Sequence, residues 1–214
     1  MDVVLLGPPG AGKGTQGERL AAALGVPKIA TGDVLRAAVR AGTPLGREAK
    51  AAMDRGDLVP DMVILGIMKE ALAADGATGG SVLDGVVRTT PQAEGLERTL
   101  GELGRRVDAV LLFRVPEDEL VRRLSGRTVC ETCQTPYTER EPGTACDRCG
   151  GTLVRRKDDE PDAVRNRLRV YDAQTAPVIG WYREHGTPVL EIDAVGELAA
   201  VERRALDALE RARR

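Results

Sequence analysis

The sequence predicts an α/β fold of three layers, with a central parallel sheet flanked by helices. Three observations carry that prediction. Short apolar runs alternate with helical stretches along most of the chain. A glycine-rich turn bearing a lysine joins the first run to the first helical stretch. One internal stretch, rich in Cys, Pro, Gly and charge, breaks the rhythm once, as an insertion does.

The elements follow in order. Residues 2–6 are a short apolar run ending at Gly7, the pattern of a buried parallel strand. Residues 14–24 carry apolar side chains at helical spacing and stop at Gly25, a C-cap. Helices are expected from Thr31-Gly32-Asp33 through Arg40, over 45–55 and over 62–74. Further strands are expected at 81–83, 109–113 and 189–192. Pro116-Glu117-Asp118-Glu119 opens a helix to Leu124, its acids lying at the positive end of the helix dipole. Residues 162–185 read as helix with a break before Pro177, and 196–213 as the last helix. Residues 127–159 show no helical period.

Bulk composition excludes some functions. With 214 residues the chain supports one well-buried core and a few tens of residues of insertion. A net charge of -2 gives no general attraction to nucleic acid or an anionic membrane. No run reaches the roughly 18 apolar residues of a membrane span, and no basic leader opens the chain, so a cytoplasmic protein is the expectation. Of 31 basic residues only five are lysines. Arginine is the better planar fork for phosphate oxygens.

Gly7-Pro8-Pro9-Gly10-Ala11-Gly12-Lys13-Gly14-Thr15 has the content of a phosphate-binding P-loop. Its glycines allow backbone N–H groups to turn inward around phosphate oxygens, and the following helix adds its positive end. Lys13 supplies a point charge for the transferred phosphoryl group. The general pattern places Ser or Thr directly after Gly-Lys; here Gly14 intervenes before Thr15.

This Gly-Lys-Gly-Thr ending resembles the adenylate kinases, and the resemblance extends along nearly the whole chain. Ala30-Thr31-Gly32-Asp33-Val34-Leu35-Arg36 is similar to the segment that opens the family's monophosphate site, and Asp57-Leu58-Val59 to the one that closes over the same adenine. Asp84-Gly85-Val86-Val87-Arg88-Thr89 with Pro91-Gln92 is similar to a further family motif, except that Val86-Val87 replaces Phe-Pro. A trans peptide or a rebuilt turn is expected there, because a cis bond without proline costs about 3 kcal/mol. Arg123-x-x-Gly126-Arg127, Arg156-Lys157-Asp158-Asp159 and Arg165-x-Arg167-Leu168 resemble the family's phosphate-gripping arginine motifs.

The resemblance implies a site for each nucleotide. Residues 10–15, Arg123, Arg127, Pro136, Tyr137 and Gly196 are implied to bind ATP. Thr31, Arg36, Asp57, Leu58, Val59, Gly85, Val86, Val87, Arg88, Gln92, Arg156 and Arg167 are implied to bind AMP. Lys13, Arg88, Arg123, Arg127, Arg156 and Arg167 are the implied catalytic set, supported by Asp84 facing hydrated Mg²⁺ and by Asp158 and Asp159 orienting arginines. The implied organisation is a P-loop core of 1–29, 60–126 and 160–214, a monophosphate-binding flap of 30–59 and a lid of 127–159. The implied partners are ATP, AMP and ADP, bound by a monomer, with no nucleic acid or membrane. The single histidine, His185, lies outside every motif, and no Ser/His/Asp set is visible.

Cys130-x2-Cys133 and Cys146-x2-Cys149 are two knuckles separated by twelve residues. Two such pairs complete a tetrahedral thiolate site, and Zn²⁺ suits it because it is redox-silent. Iron and a disulfide role are the alternatives. The knuckles fall inside the 127–159 insertion, where some adenylate kinases hold their lid with zinc. A closed four-sulfur site has no open position for substrate, so the expected role is structural. Two rival functions are a kinase for UMP or CMP, and a zinc-ribbon nucleic-acid-binding ATPase. The second lacks aromatic platforms, Tyr137 being the only aromatic residue of the insertion.

Overall fold

The computed structural model describes residues 1–213 and has the expected architecture. Five parallel strands form the central sheet in the order β2-β3-β1-β4-β8. They are β1 (Asp2–Leu6), β2 (Lys28–Ala30), β3 (Ser81–Asp84), β4 (Val107–Arg114) and β8 (Val189–Asp193). β1 lies at the centre, pairing Val4 with Leu83 on one side and with Val110 on the other.

Helices cover both faces, as all-parallel strands require. Alternate residues of each strand point to opposite faces. Val4, Leu6, Leu83, Val110 and Leu112 therefore pack in one cluster with Met68 and Leu72 of α4 (Asp61–Ala73), Leu96 and Leu100 of α5 (Thr90–Glu102), and Val178 and Tyr182 of α8 (Ala176–Glu184). Val3, Leu5, Val82, Leu111 and Phe113 pack in a second cluster with Leu20 of α1 (Lys13–Leu24) and Val201, Ala205 and Leu209 of α9 (Leu198–Ala212). Each such buried side chain contributes about 1.5–3 kcal/mol relative to exposure.

Helices α2 (Thr31–Arg40) and α3 (Pro44–Arg55) project from the end of β2 with a small core of their own around Leu35, Ala49, Val59 and Ile64. Thr43 caps α3 by accepting from Gly46 N at 3.1 Å, with Pro44 at the first helical position. After α6 (Glu117–Ser125) the chain forms a second, three-stranded antiparallel sheet: β5 (Arg127–Cys130), β6 (Pro136–Thr138) and β7 (Leu153–Val154), in the order β6-β5-β7. It returns to the main body through α7 (Pro161–Val170).

Some expectations need correction. The helical stretch 162–185 does not break before Pro177. Residues Tyr171–Thr175 form a wide π-type turn that carries the axis on into α8. Such a turn leaves room for a ring that cannot donate to the ladder. Strand β2 and helix α5 were not read as separate elements. Three residues are too few to show alternation, whereas α5 does carry apolar residues at 93, 96 and 100 behind the Thr89 cap. The peptide at Val86-Val87 is trans, as expected.

Candidate active site and cysteine centre

Four of the five main-sheet strands end, at their carboxyl edge, in one of the sequence motifs. β1 runs into Gly7 of the P-loop, β2 into Thr31, β3 into Asp84-Gly85, and β8 into the loop containing Gly196. In open α/β sheets ligands bind at this edge, where the strand order reverses. The reversal is at β1, between β3 and β4.

The P-loop is shaped for backbone donors. Gly10 and Gly12 have φ of 85° and 86°, in the left-handed region that glycine tolerates. Gly12 is the N-cap of α1, which begins at Lys13. The Lys13 ammonium donates to the carbonyls of Gly7 at 2.6 Å and Pro8 at 2.9 Å, curled over its own loop. Its pKa is lowered to about 8, first by loss of hydration and then by the charges of Arg88, Arg167 and Arg127, with Asp84 opposing. Asp84 Oδ2 lies 3.4 Å from where a Cβ on Gly14 would stand. That is ordinary van der Waals contact, and it sets the Asp84 carboxylate beside the start of α1.

An open cleft runs beside the loop. Gly7, Pro9 and Lys13 line it with Leu58, Gly85, Val87, Arg88, Arg167 and Thr175. Electrostatic contacts join Lys13, Arg36, Arg88, Arg127, Arg156 and Arg167 into one cationic cluster. Acids hold it in place. Asp159 pairs with Arg127 and, at 3.0 Å, with Arg167; Asp158 pairs with Arg156 and, at 3.2 Å, with Arg167. Burial pushes the Asp158 carboxyl up, but Arg167 and Arg156 outweigh it and hold the group well below the carboxylate range. Loss of hydration brings Arg167 down to about 10, aided by Arg127 and Arg156, so it remains charged at neutral pH.

The residues assigned to the monophosphate site by resemblance mostly have partners within the protein. Thr31 donates to the Gly85 carbonyl at 2.8 Å and is almost fully buried. Gln92, also buried, accepts from Arg88 N at 2.7 Å and donates to Asp61 Oδ1 at 2.7 Å. Arg36 pairs with Asp33, which Lys28 also approaches at 3.4 Å. Asp57 accepts from Asn166 at 2.7 Å, tying the 30–59 segment to α7. Gly56 lies in the same seam. Its φ is 78°, and a Cβ there would come within 2.8 Å of the Ala163 carbonyl. Val86, Val87 and Val59 are all buried in core clusters, and Val87 also borders the cleft.

On the other flank, Arg123 donates to the Ala194 carbonyl at 3.0 Å, beside the loop that holds Gly196. Its Nη1 lies 4.0 Å from where a Cβ on Gly12 would stand, so the guanidinium faces the P-loop. Glu119 fixes it there, accepting from Arg123 Nε at 2.7 Å. Hydrogen bonds from Arg122 and Arg123 hold the Glu119 carboxyl down to about 2. The sequence reading missed Glu119, Asn166, Asp61 and Thr175, whose hydroxyl donates to the Arg88 carbonyl at 3.0 Å. Only Glu119 had a local signal, an i,i+4 acid-base pair on one helix face.

The four cysteines come together. Their sulfurs lie within 4.8 Å of one another, with Cys130 to Cys149 at 3.4 Å and Cys133 to Cys146 at 3.6 Å. A tetrahedral zinc with bonds of about 2.3 Å separates its sulfurs by about 3.8 Å, so the donor set fits that ion. None of the four is in a disulfide. Hydrogen bonds from Thr135 lower the Cys133 thiol, and one from Tyr137 lowers Cys146, whereas Cys149, despite a backbone bond from Gly151, is pushed up by Cys130 and Cys133. Tyr137, an implied ATP contact, turns its hydroxyl to Cys146 Sγ at 3.1 Å, and the Arg140 guanidinium lies over its ring. Pro136 beside it is exposed.

Comparison with known proteins agrees with this geometry. The family Adenylate kinase matches residues 5–187. The chain belongs to the adenylate kinase family. An adenylate kinase of Gemmatimonas aurantiaca is 70% identical over 211 residues, covering 98% of this chain and 99% of that one. An adenylate kinase of Syntrophotalea carbinolica is 47% identical over 213 residues, covering 98% of each. One from Streptomyces griseus is 48% identical over 214 residues, covering 98% and 97%. The adenylate kinase likeness therefore spans the P-loop, the arginine cluster and the cysteine module alike. Among the described residues no helix is long and apolar enough to cross a membrane.

Proposed function

We propose that this member of the adenylate kinase family catalyses reversible, Mg²⁺-dependent phosphoryl transfer, ATP + AMP = 2 ADP. The observation that carries the assignment is the cleft in which Lys13 of the P-loop meets Arg88 and Arg167 beneath the 30–59 segment. ATP lies on residues 10–15, with Arg123 and Arg127 on its phosphates, the 136–137 turn against its base and the Gly196 loop at the adenine. AMP lies under the flap of 30–59, its phosphate between Arg36, Arg88, Arg156 and Arg167. Thr31, Gln92, Val86 and residues 57–59 set the adenine pocket through their second valences and backbone. Mg²⁺, when bound with ATP, would supply charge neutralisation to the triphosphate, and Thr15 and Asp84 would face it.

No general base is required, because the attacking phosphate oxygen is already an anion. The work of the protein is alignment and positive charge around a transition state that spreads negative charge over the transferred group. Asp158 and Asp159 keep the arginines paired and aimed. Closure of the flap and of the 127–159 lid excludes water, so that AMP is the acceptor. The four cysteines hold structural zinc in that lid. The reading places the enzyme in the cytoplasm as a monomer.

A panel of AMP, UMP, CMP and GMP with ATP·Mg²⁺ in a coupled ADP assay tests the assignment. AMP is expected to be turned over at least tenfold faster than the others. Preference for UMP or CMP would move the assignment to another monophosphate, and hydrolysis without any acceptor would refute it.

The Lys13 environment gives a pH dependence. Its pKa of about 8 in the free protein rises when triphosphate oxygens arrive. Above pH 8 the complex therefore holds more protons than the free protein. ATP binding takes up a fraction of a proton there, and affinity falls as pH rises. Calorimetry in buffers of different ionisation enthalpy measures this, and Lys13→Met abolishes it. Buffer-independent heats in the wild type at that pH would contradict it.

A further inference from the structure

The cysteine module has hydroxyl donors around its sulfurs, and one of them reaches beyond the cage. Thr135 Oγ1 lies 3.1 Å from Cys133 Sγ, and Tyr137 Oη lies 3.1 Å from Cys146 Sγ. A metal-bound thiolate is acceptor-only, so both hydroxyls donate. The Tyr137 oxygen in turn accepts from the backbone N–H of Asp147 at 3.1 Å. The residue thus grips the second knuckle twice, once at a sulfur and once at the chain just after it. Arg140 completes the ring of contacts. It lies over the Tyr137 ring, pairs with Asp147 at 2.8 Å and donates to the Ala145 carbonyl at 3.1 Å.

Tyr137 belongs to β6, the strand that pairs with β5, and the register sets Tyr137 opposite Thr128 and Thr138 opposite Arg127. β5 begins at Arg127 and ends at Cys130. One short ladder therefore has a cysteine ligand at one end, an arginine of the phosphate cluster at the other, and Tyr137 on the strand beside them. The module's own apolar cluster consists of Cys130, Cys146 and Leu153, with Cys133 and Tyr137 packed against it. So small a core cannot fix the register of a three-residue strand by burial alone.

We propose that Tyr137 is a positioning residue linking the metal cage to the ATP side of the lid. Its hydroxyl donates to the Cys146 thiolate, strengthening metal retention. The same bond ties β6 to the second knuckle, and the β6–β5 ladder carries that tie to the strand that opens at Arg127, whose guanidinium Asp159 holds. This inference rests on reading the cluster as a zinc site. Outer hydrogen bonds to metal ligands commonly change affinity by about 10–100-fold.

Tyr137→Phe keeps the ring and removes only the hydroxyl. Zinc affinity, read by competition with a chromophoric chelator, is expected to fall about 10–100-fold. The KM for ATP is expected to rise severalfold while the KM for AMP stays unchanged, because the β5–β6 ladder loses its tie to the cage and the flap does not. A second measurement needs no variant: in cadmium-loaded wild-type protein, the Tyr137 hydroxyl proton should couple to the metal nucleus through sulfur. Wild-type zinc affinity in Tyr137→Phe, or no such coupling, would overturn the link while leaving the zinc cage intact. A wild-type protein that binds no zinc would overturn both.

Discussion

Replacing Arg88 with alanine is expected to reduce kcat by about 10²–10³, the loss typical of removing one preorganised group that stabilises transition-state charge. The side chain lines the cleft with Lys13 and Arg167, between the P-loop and the flap. The fold should survive. Arg88 is exposed at the cleft, and the bonds that anchor its position are made by backbone, from its N–H to Gln92 and from Thr175 to its carbonyl. A surface truncation of that kind changes stability by about 0.5 kcal/mol or less. The KM for AMP should rise while the KM for ATP changes little, since Arg88 faces the acceptor side. Lysine should restore little of the rate, because a point charge cannot grip two phosphate oxygens as a planar fork does. Steady-state kinetics and a thermal melt on the same preparation check this. Near-normal turnover in a folded Arg88→Ala protein would remove the residue from the reaction.

Stripping zinc is expected to have the second large effect, on stability. The 127–159 module buries few apolar side chains of its own, and its cluster is largely the cysteines themselves. Metal binding free energy is then folding free energy for that segment. The main sheet has two apolar clusters that do not include the module, so it should stay folded. Calorimetry of metal-free protein should show a melting point lowered by about 5–10 °C, on the scale of 2–4 °C for each kcal/mol in a chain of this size. Zinc should restore it and magnesium should not. A metal-free wild type with an unchanged melting profile would contradict the structural role.

Much of this site was legible in the sequence because its chemistry is local. The P-loop needs only a strand, glycines and a lysine in order, and residues 2–24 supply all three. Each cysteine knuckle spans four residues, so its two sulfurs converge whatever lies between the pairs. The ends of β1, β3 and β8 were legible for a similar reason, since each buried run stops at the glycine or polar residue that begins a motif. What could not be read was the pairing of side chains distant in sequence. Asn166 reaches Asp57 across 109 positions, and Thr175 reaches Arg88 across 87. Neither residue has a spacing signal, because α7 and the 30–59 segment meet only in the folded chain. Resemblance assigned Thr31 and Gln92 to adenine, yet their hydrogen bonds run to Gly85, Arg88 and Asp61. Burial demands those internal partners, and sequence alone does not show where a buried polar group spends its bonds. The π-type turn at Tyr171–Thr175 was misread as a break because a proline inside a helical pattern has two structural outcomes, and packing around α8 selects between them.

The central claim is phosphoryl transfer between adenine nucleotides in one cleft, and the most direct test is ADP formation from equimolar ATP·Mg²⁺ and AMP by the purified, zinc-loaded protein. The account predicts two ADP formed for each ATP consumed, with the reverse reaction yielding ATP and AMP from ADP alone. ATP consumption that is independent of AMP, or faster transfer to UMP, CMP or GMP than to AMP, would contradict it.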